Sequence, residues 1–319
     1  MDYIFCNPQI PRFEWENYVF IHNLLQIGVS PDRIILLTTS TNSYISDNIY
    51  KYFGVKSHQY PDNRSRSGKS YSPSIKPYLM GCYFNEFPDM VNHDYLYSDS
   101  DLIFKKDIEI KSPDKVILGS DCDNYLGHDY VYEKNYEGSD LEQEIADCLK
   151  VSKDNFNSTG IGAQYAFHGL PSQYWQTVYQ DSINLHSYFV KIEKRYLKEY
   201  KKTDDDILPI QRWCAEMWAT WLDAFKFGFK SQVDNRLSFC WSSWKKDAWE
   251  NEDYNILHNS GITSKSRDED NLFYKVDYYN KSPLLEIDNL LATKNPEYCN
   301  YIYLQQIKET RDYIKGLQI

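Results

Sequence analysis

The sequence predicts an α/β fold, with a mixed, mostly parallel sheet flanked by helices and with further helices at the C-terminal end. Segments of strand and helix character alternate along the first sixty residues. This β-α-β-α order implies a parallel sheet with right-handed crossovers. One of the strands, DRIILLTTST, is a continuous apolar run, as expected for a parallel strand covered on both faces.

The first half of the chain holds most of the predicted strands. DYIFCN is a short strand that ends at Pro8, and a helical pattern of apolar residues follows it and stops at Gly28. After the apolar strand, a second helix is closed by Gly54. The polar, basic residues 61–73 are predicted to form a mobile loop. Beyond this loop the patterns predict a helix in SIKPYLMGCYFNEF and strands in DYLYSDSDLIF and DKVILGSDCD.

The second half is predicted to be mainly helical. Residues 123–140 lack a period and are expected to form a loop near the functional site. NSTGIGAQYAFHGL reads as a turn followed by a strand, and the helices after it run as far as Gly228. A strand is predicted in YNILHNSG, and EYCNYIYLQQIKETRDYIKGL suits a closing helix.

Composition limits the classes of function. The formal net charge is −11, whereas a sequence-independent nucleic-acid binder is usually basic. The seven cysteines contain no CxxC pair, which indicates reduced thiols and not a disulfide framework or a zinc site. No signal peptide and no apolar stretch of about 18 residues is present. The chain is therefore expected to work in the cytoplasm, or in a host cytoplasm if it is viral, without a membrane partner.

Two carboxylates follow a buried-looking strand in YLYSDSDLIF. Asp99 and Asp101 are one residue apart, so they project to the same side of a strand or converge in a turn just beyond it. Two carboxylates this close are costly unless a cation or a proton lies between them. Mg²⁺ and Mn²⁺ prefer oxygen ligands and often share them with substrate phosphates. Because α/β sheets bind ligands at the carboxyl ends of their strands, we expect a divalent ion held here against a diphosphate.

Other residues compete with this pair or add to it. Asp121 and Asp123, in GSDCDNY, have the same spacing after another apolar run and remain an alternative metal pair. His258 ends an apolar run before Asn-Ser-Gly, and a neutral imidazole suits Mn²⁺. Glu216 lies at the margin of an apolar helical stripe, where burial raises the proton affinity of a carboxylate and favours a role as base or electrostatic stabiliser.

Together these segments resemble a nucleotide-sugar-dependent glycosyltransferase of the GT-A type, a Rossmann-like fold. YLYSDSDLIF resembles its metal-binding DxD motif, and HNSG resembles its histidine-bearing C-terminal motif. Four segments are similar to the hydroxyproline O-arabinosyltransferase and peptidyl-serine galactosyltransferase group: YSPSIKPYLMGCYF, TGIGAQYAFH, CAEMWATWLDAFKFGF and YNILHNSGITSK. Relative to that group, Ile75 replaces an Asn, Gln164 a Pro and Trp218 a Tyr.

The resemblance implies a single domain, 1–319. Residues 1–120 would bind the nucleotide sugar, 121–285 the acceptor, and 286–319 would form C-terminal helices. Asp99, Asp101 and His258 would hold Mn²⁺ or Mg²⁺ on the diphosphate of a UDP-sugar, and Glu216 would face the acceptor hydroxyl or the developing oxocarbenium ion. The residues implied at the donor are Lys76, Ser100, Thr159, Gly160, Gly162, Gln164, Gly261 and Lys265.

The acceptor stays open, as a hydroxyl of a glycan, a protein, a small molecule or a modified DNA base. The Tyr-, Asn- and Lys-rich, alanine-poor composition indicates an AT-rich, viral genome, and one viral use of such an enzyme is to glycosylate hydroxymethylated pyrimidines in DNA. Arg64, Arg66 and Lys69, or the cluster of Trp241, Trp244, Lys245 and Lys246, would then contact the DNA. Two other classes are a non-catalytic carbohydrate-binding module and a metal-dependent phosphohydrolase or nucleotidyltransferase.

Overall fold

The computed structural model describes residues 1–41, 43–136, 138–200, 210–251 and 253–317. The chain forms two compact units, each assembled from separate stretches of sequence. The first unit comprises Met1–Asp62, Ser98–Glu109 and Asn235–Ile319, and the second comprises Asn63–Tyr97 and Ile110–Asp234.

Strands and helices alternate through most of the chain. The strands are β1 (Asp2–Asn7), β2 (Ile34–Thr39), β3 (Ser57–Tyr60), β4 (Tyr95–Ser98), β5 (Leu102–Phe104), β6 (Val116–Asp121), β7 (Ile161–Phe167), β8 (Lys230–Val233), β9 (Phe239–Trp241) and β10 (Ile256–His258). The helices are α1 (Pro11–Gln26), α2 (Ser43–Phe53), α3 (Arg66–Ser70), α4 (Ile75–Glu86), α5 (Asp123–Leu126), α6 (His128–Glu133), α7 (Leu141–Leu149), α8 (Ser172–Tyr200), α9 (Ala215–Lys226), α10 (Asp247–Glu250), α11 (Ser264–Glu269), α12 (Ile287–Thr293) and α13 (Cys299–Gly316).

The main sheet has seven strands and is mixed, mostly parallel. In the first unit its order is β3-β2-β1, with parallel pairing throughout. In the second unit its order is β4-β7-β6-β8, in which β7 runs antiparallel to β4 and β6 while β8 is parallel to β6. Every residue of β2 is buried, as its continuous apolar run predicts. The predicted α/β class is confirmed.

A three-stranded sheet of order β5-β10-β9 lies in the first unit. It packs with α1 and the C-terminal helices α12 and α13 around one apolar cluster, so the predicted C-terminal helices are part of a core. The buried members of this cluster are Trp15, Val19, Ile103, Cys240, Leu257, Phe273, Tyr278, Ile287, Leu290, Cys299, Tyr303, Leu304 and Ile307.

Three predicted segments differ from the structure. The predicted strand over 94–104 is interrupted, because residues 99–101 turn between β4 and β5. The predicted loop 123–140 contains α5 and α6. The predicted mobile loop 61–73 contains α3, where the Ser65 hydroxyl caps the helix by accepting from the Gly68 amide. Helices this short carry too few residues for a period to show in the sequence.

Among the described residues, no helix combines the length and the apolar character needed to cross a membrane.

Candidate functional site

The register of the three-stranded sheet places His258 beside the acidic turn. Asp99 and Asp101 lie in the turn that precedes β5. β10 pairs antiparallel with β5, so that His258 lies opposite Leu102. The Asn259 amide then donates to the Asp101 carbonyl over 2.8 Å, which extends the pairing into the turn. Backbone pairing therefore brings together three side chains that are far apart in the sequence.

These three side chains form a possible cation site. Within the part of the chain that the structure describes, Asp99, Asp101 and His258 are the one set of three His, Cys, Asp or Glu residues whose ligand atoms all lie within 4.8 Å of one another. His258 Nε2 is 3.4 Å from Asp101 Oδ1. Two carboxylates and one imidazole are hard and borderline donors, which suit Mn²⁺ and Mg²⁺ better than a soft ion.

The imidazole of His258 is held by its neighbours. Trp241 stacks on the ring, with centroids 5.4 Å apart and planes at 17°, and Phe239 meets it edge-on at 5.5 Å. The Nδ1 atom is buried and has no hydrogen-bond partner among the described residues. The other ring nitrogen, Nε2, faces Asp101, so this nitrogen is placed to bind an ion together with the two carboxylates. The residues present therefore fit a divalent ion.

Gly261 occupies the turn after His258. Its φ of +80° is in the left-handed region, and a Cβ there would lie 3.3 Å from both the Trp241 ring and the Ser243 hydroxyl. Glycine is therefore required at this position by backbone conformation and by close packing. The Ser242 amide donates to the His258 carbonyl over 3.0 Å, which ties the turn to β9.

Asp101 is buried and heavily paired. Lys275 forms an ion pair with Asp101 Oδ2, and His258 faces Oδ1. Burial alone would raise the pKa of Asp101, but the Lys275 ammonium and the His258 imidazole lower it well below its ordinary value. These two neighbours therefore favour the ionised form of Asp101. Sequence reasoning missed Lys275 because no local pattern around it points to the acidic turn.

Ser100 joins the acidic turn to the end of β1. Asn7 Nδ2 donates to the Ser100 hydroxyl over 2.8 Å and to Asn17 Oδ1 over 2.6 Å. The Ser100 hydroxyl lies 3.5 Å from Glu16 Oε2, and Arg12 pairs with the other oxygen at 3.0 Å. Burial raises the pKa of Glu16 against the opposing effect of Arg12. Ser100, a predicted donor residue, is thus held by Asn7 and Glu16, which no local sequence pattern connects to the acidic turn.

A second buried polar group lies where β1, β2 and β3 end. Gln9 Nε2 donates to the Ser46 hydroxyl over 2.9 Å and to Gln59 Oε1 over 3.1 Å, and the Gln9 amide donates to the Thr39 hydroxyl. The side-chain carbonyl Oε1 of Gln9 is buried without a hydrogen-bond partner among the described residues. Parallel sheets bind ligands at this edge. In the sequence, Asn-Pro-Gln at the end of β1 is the only sign of this group. Isolated amide side chains are too common for such a segment to predict a binding site.

Glu216 and Lys76 form an ion pair inside the second unit. Glu216 lies in the first turn of α9 and is buried, and its Oε2 atom is 2.8 Å from Lys76 Nζ. Oε1 accepts from the Thr220 hydroxyl at 3.2 Å and from the Tyr97 hydroxyl at 3.4 Å. The Tyr71 hydroxyl accepts from the Glu216 amide over 2.8 Å. A fully hydrogen-bonded carboxylate of this kind is fixed in orientation.

The glycine-rich segment before and within β7 is closely packed. A Cβ on Gly160 would lie 3.1 Å from the Gly127 amide, and one on Gly162 would lie 2.4 Å from Met217 Cε. Gln164 is buried and accepts from the Ser120 hydroxyl over 2.5 Å, while its Nε2 atom has no partner among the described residues. Thr159, just before this segment, is exposed. These glycines are thus explained by packing within the second unit.

Ala163 has a strained backbone. Its φ is +59°, which is uncommon for a residue with a Cβ. It lies where the β6–β7 register shifts between Gly119 and Ser120. Strain of this kind persists only where the surroundings impose it, and it is frequent at functional sites.

The alternative acidic pair has local partners. Asp121 Oδ1 accepts from the Asp123 amide at 3.0 Å, and Asp123 Oδ1 accepts from the Gly160 amide at 2.9 Å. Both side chains are exposed, and they accept from one backbone amide at the start of α5 and from one just before β7. This geometry is typical of a capped turn.

The remaining cations have surface or structural contacts. The Lys265 side chain is 79% exposed and lies 3.9 Å from Glu269 on the same helix. Arg64 donates to the carbonyls of Gly68 and Ser72, so it holds its own loop. Lys245 pairs with Glu297 at 2.9 Å. Lys245 and Arg64, which the sequence analysis named for DNA contact, therefore already have partners within the protein.

Comparison with known proteins gives structural neighbours only. No protein-family model matches the sequence, and no curated protein is significantly similar to it. The apo structure of the bifunctional glycosyltransferase WbbM has 11% identity and a TM-score of 0.44, covering 96% of this chain, which spans about half (51%) of the WbbM chain. An active-site mutant of LgtC has 9% identity and a TM-score of 0.43, covering 92% of this chain and 96% of its own.

A third neighbour is the glycosyltransferase GlyE from Streptococcus pneumoniae TIGR4. It has 12% identity and a TM-score of 0.39, covering 93% of this chain and 64% of its own. Identities this low and TM-scores below 0.5 leave the chemistry of this chain to be inferred from its own side chains.

Proposed function

We propose that the chain is a metal-dependent glycosyltransferase that moves a sugar from a UDP-sugar to a hydroxyl acceptor. The observation that carries the proposal is the convergence of Asp99, Asp101 and His258 within 4.8 Å at the start of β5 and the end of β10. A rigid set of two carboxylates and an imidazole suits Mn²⁺ or Mg²⁺. The contacts that hold Asp101 support it, since Lys275 and the Nε2 atom of His258 lie at its two carboxylate oxygens and lower its pKa.

The donor would be bound by the ion, by its three ligands and by polar groups beside them. Asp99, Asp101 and His258 hold the ion, and Ser100 keeps the turn in place through Asn7. When bound, the ion would offset the negative charge on the departing nucleotide diphosphate. The polar edge at β1–β3 would receive the nucleoside, where the unpartnered Oε1 of Gln9 is able to accept a hydrogen bond from a base N–H.

Glu216 is proposed as the carboxylate that faces the acceptor hydroxyl or the positive charge developing on the sugar. As a base it must reach within about 3 Å of that hydroxyl. Lys76, Thr220 and Tyr97 keep the carboxylate oriented. Thr159 and Gln164 would line the sugar pocket on the same unit, and the strained backbone of Ala163 within β7 supports a functional role for this segment.

A donor panel tests the proposal. The protein is incubated with each available UDP-sugar, with Mn²⁺ or with EDTA, and release of UDP is measured without an acceptor. We expect slow, Mn²⁺-dependent hydrolysis of one donor, which also tells a hexose from a pentose. Asp99→Asn and Asp101→Asn should lose UDP binding in titration calorimetry, whereas Asp121→Asn and Asp123→Asn serve as matched controls and should keep it. Nucleotide binding that is indifferent to metal and to Asp99 and Asp101 would refute the proposal.

A further inference from the structure

Lys275 places a positive charge beside the acidic turn before β5. Its ammonium pairs with Asp101 Oδ2, while the other oxygen of the same carboxylate faces His258. The Lys275 side chain is 19% exposed and that of Asp101 is 6% exposed. A buried carboxylate is strongly destabilising unless it is paired. Lys275 therefore supplies a charge that neutralises this buried carboxylate.

We propose that Lys275 is a resident counter-cation that competes with the divalent ion for Asp101. In the metal-free protein it neutralises the carboxylate and keeps the turn folded, and on metal binding it leaves Asp101 for solvent or for an anionic ligand. The inference rests on the proposed function, since it takes Asp99, Asp101 and His258 as the ligands. It assigns to Lys275 the control of metal affinity at this site.

Charge and mobility both favour displacement. A lysine ammonium and a divalent ion on one carboxylate repel each other strongly at low dielectric. The lysine is the partner able to move, because its charge is carried on a flexible stem with four carbons. It belongs to a short 3₁₀ segment, Lys275–Tyr278, whose neighbours Val276 and Tyr279 are exposed. The side chain is thus able to swing outward while the apolar cluster below it stays packed.

Calorimetric titration of Mn²⁺, without nucleotide, tests the competition. We expect Lys275→Met to bind Mn²⁺ about tenfold more tightly or better than the parent, because one competing positive charge is gone. Lys281→Met removes an equal charge from the same unit, where Lys281 pairs with the exposed Glu286, and should leave the affinity unchanged. Lys275→Arg keeps the charge and should not bind more tightly than the parent.

Thermal unfolding gives a readout that is independent of catalysis. Lys275→Met leaves Asp101 unpaired, so its Tm in EDTA should lie below that of the parent, and Mn²⁺ should restore it. If this variant does not fold in EDTA, refolding on addition of Mn²⁺ supports the same competition. A variant that stays unfolded with Mn²⁺ would count against it.

Amine labelling tests displacement in the unmodified protein. An acylating reagent is applied with and without saturating Mg²⁺, and labelling of Lys275 relative to Lys281 is measured by mass spectrometry. We expect relative labelling of Lys275 to rise by about threefold or more when the metal binds. Unchanged labelling together with equal Mn²⁺ affinity in Lys275→Met and the parent would overturn the inference and leave the metal site standing. Absence of Mn²⁺ binding in both proteins would overturn the metal site and the inference together.

Discussion

Asp101 is the carboxylate of the first unit that Lys275 and His258 both contact. One carboxylate oxygen forms an ion pair with Lys275, and the other faces the His258 ring. The backbone carbonyl of Asp101 accepts a hydrogen bond from the backbone amide of Asn259. Side chain and main chain are thus both fixed, and a carboxylate that is fixed and ionised is a better metal ligand than a mobile one. Glu216 is fixed in a comparable way in the second unit, through Lys76.

Asp223 gives a prediction about pH that concerns stability alone. It is buried on α9, and its nearest charged groups are Lys226 at 2.7 Å and Asp181, which shares that lysine. Burial raises the pKa of Asp223 to about 7, against about 3.9 in an unfolded chain. The folded protein therefore binds this proton more tightly than the unfolded chain does. The stability that protonated Asp223 contributes is fully present below about pH 4 and is lost as the pH rises to about 7.

The measurement is urea unfolding of the parent and Asp223→Asn at pH 5 and pH 8. We expect the variant to lose less stability than the parent between these two values, by about 1–3 kcal/mol. Asp154→Asn, at an exposed position, should behave as the parent does. Equal losses in the parent and Asp223→Asn would show that this carboxyl titrates normally.

Three of the candidate site residues could be predicted from the local sequence, because each lies at the end of an apolar run. Asp99 and Asp101 follow an apolar run, and His258 ends one, so each is recognisable from its own surroundings. Lys275 and Glu16 lie on a 3₁₀ segment and on α1, where a charged residue is unremarkable. Their roles depend on long-range contacts that leave no periodic signal.

At the level of secondary structure, the pairing of β10 between β5 and β9 builds the candidate metal site. β5 sets the distance from His258 to Asp101, and β9 supplies Trp241 against the imidazole face. The ring is therefore positioned by packing as well as by backbone register. Residues that orient a metal ligand usually affect affinity without contacting the ion.

Removing the stacked ring should weaken metal binding. We expect Trp241→Ala to lower Mn²⁺ affinity by about tenfold or more, because the His258 ring would lose its orientation. Trp241→Phe should retain part of that affinity, while Trp244→Ala, at a partly exposed position nearby, should bind as the parent does. Calorimetry measures all three, and an unchanged affinity in Trp241→Ala would assign the imidazole orientation to the backbone alone.

The β6–β7 pair gives a prediction about packing. A Cβ on Gly119 would lie 2.7 Å from Ile161 Cβ, and a β-branched side chain has little freedom to move away. We expect Gly119→Ala to destabilise the protein by about 1–3 kcal/mol in urea unfolding. Gly316→Ala is the control, since no atom would approach its new methyl group within 4 Å. Equal stabilities for the two variants would mean that β6 is able to shift against β7.

Element prediction was good where elements are long and poor where they are short. The strands β1 and β2 and the helices α1, α2 and α13 follow from periodicity and from Pro and Gly boundaries. The helices α3, α5 and α6 were assigned to loops, because each has six residues or fewer. Their stability comes from local contacts such as the Ser65 cap and from tertiary packing, which a periodicity argument does not see.

Net charge is the feature of the whole molecule that bears most on the acceptor. A formal charge of −11 opposes binding to a polyanion, and Lys245 and Arg64 are engaged by protein groups. We expect no retention of duplex DNA in a gel-shift series at about 0.15 M salt. A retained complex that dissociates steeply with salt would favour the alternative acceptor, a hydroxymethylated pyrimidine in DNA.

The central claim is that one divalent ion lies among Asp99, Asp101 and His258 and holds a nucleotide diphosphate. Crystals grown with UDP and Mn²⁺ test it directly, by anomalous diffraction at the manganese edge. We expect a single strong manganese peak at about 2.0–2.3 Å from oxygens of Asp99 and Asp101 and from a ring nitrogen of His258. The same ion should contact the diphosphate of UDP. UDP bound in the absence of such a peak, or a manganese peak at Asp121 and Asp123, would contradict it.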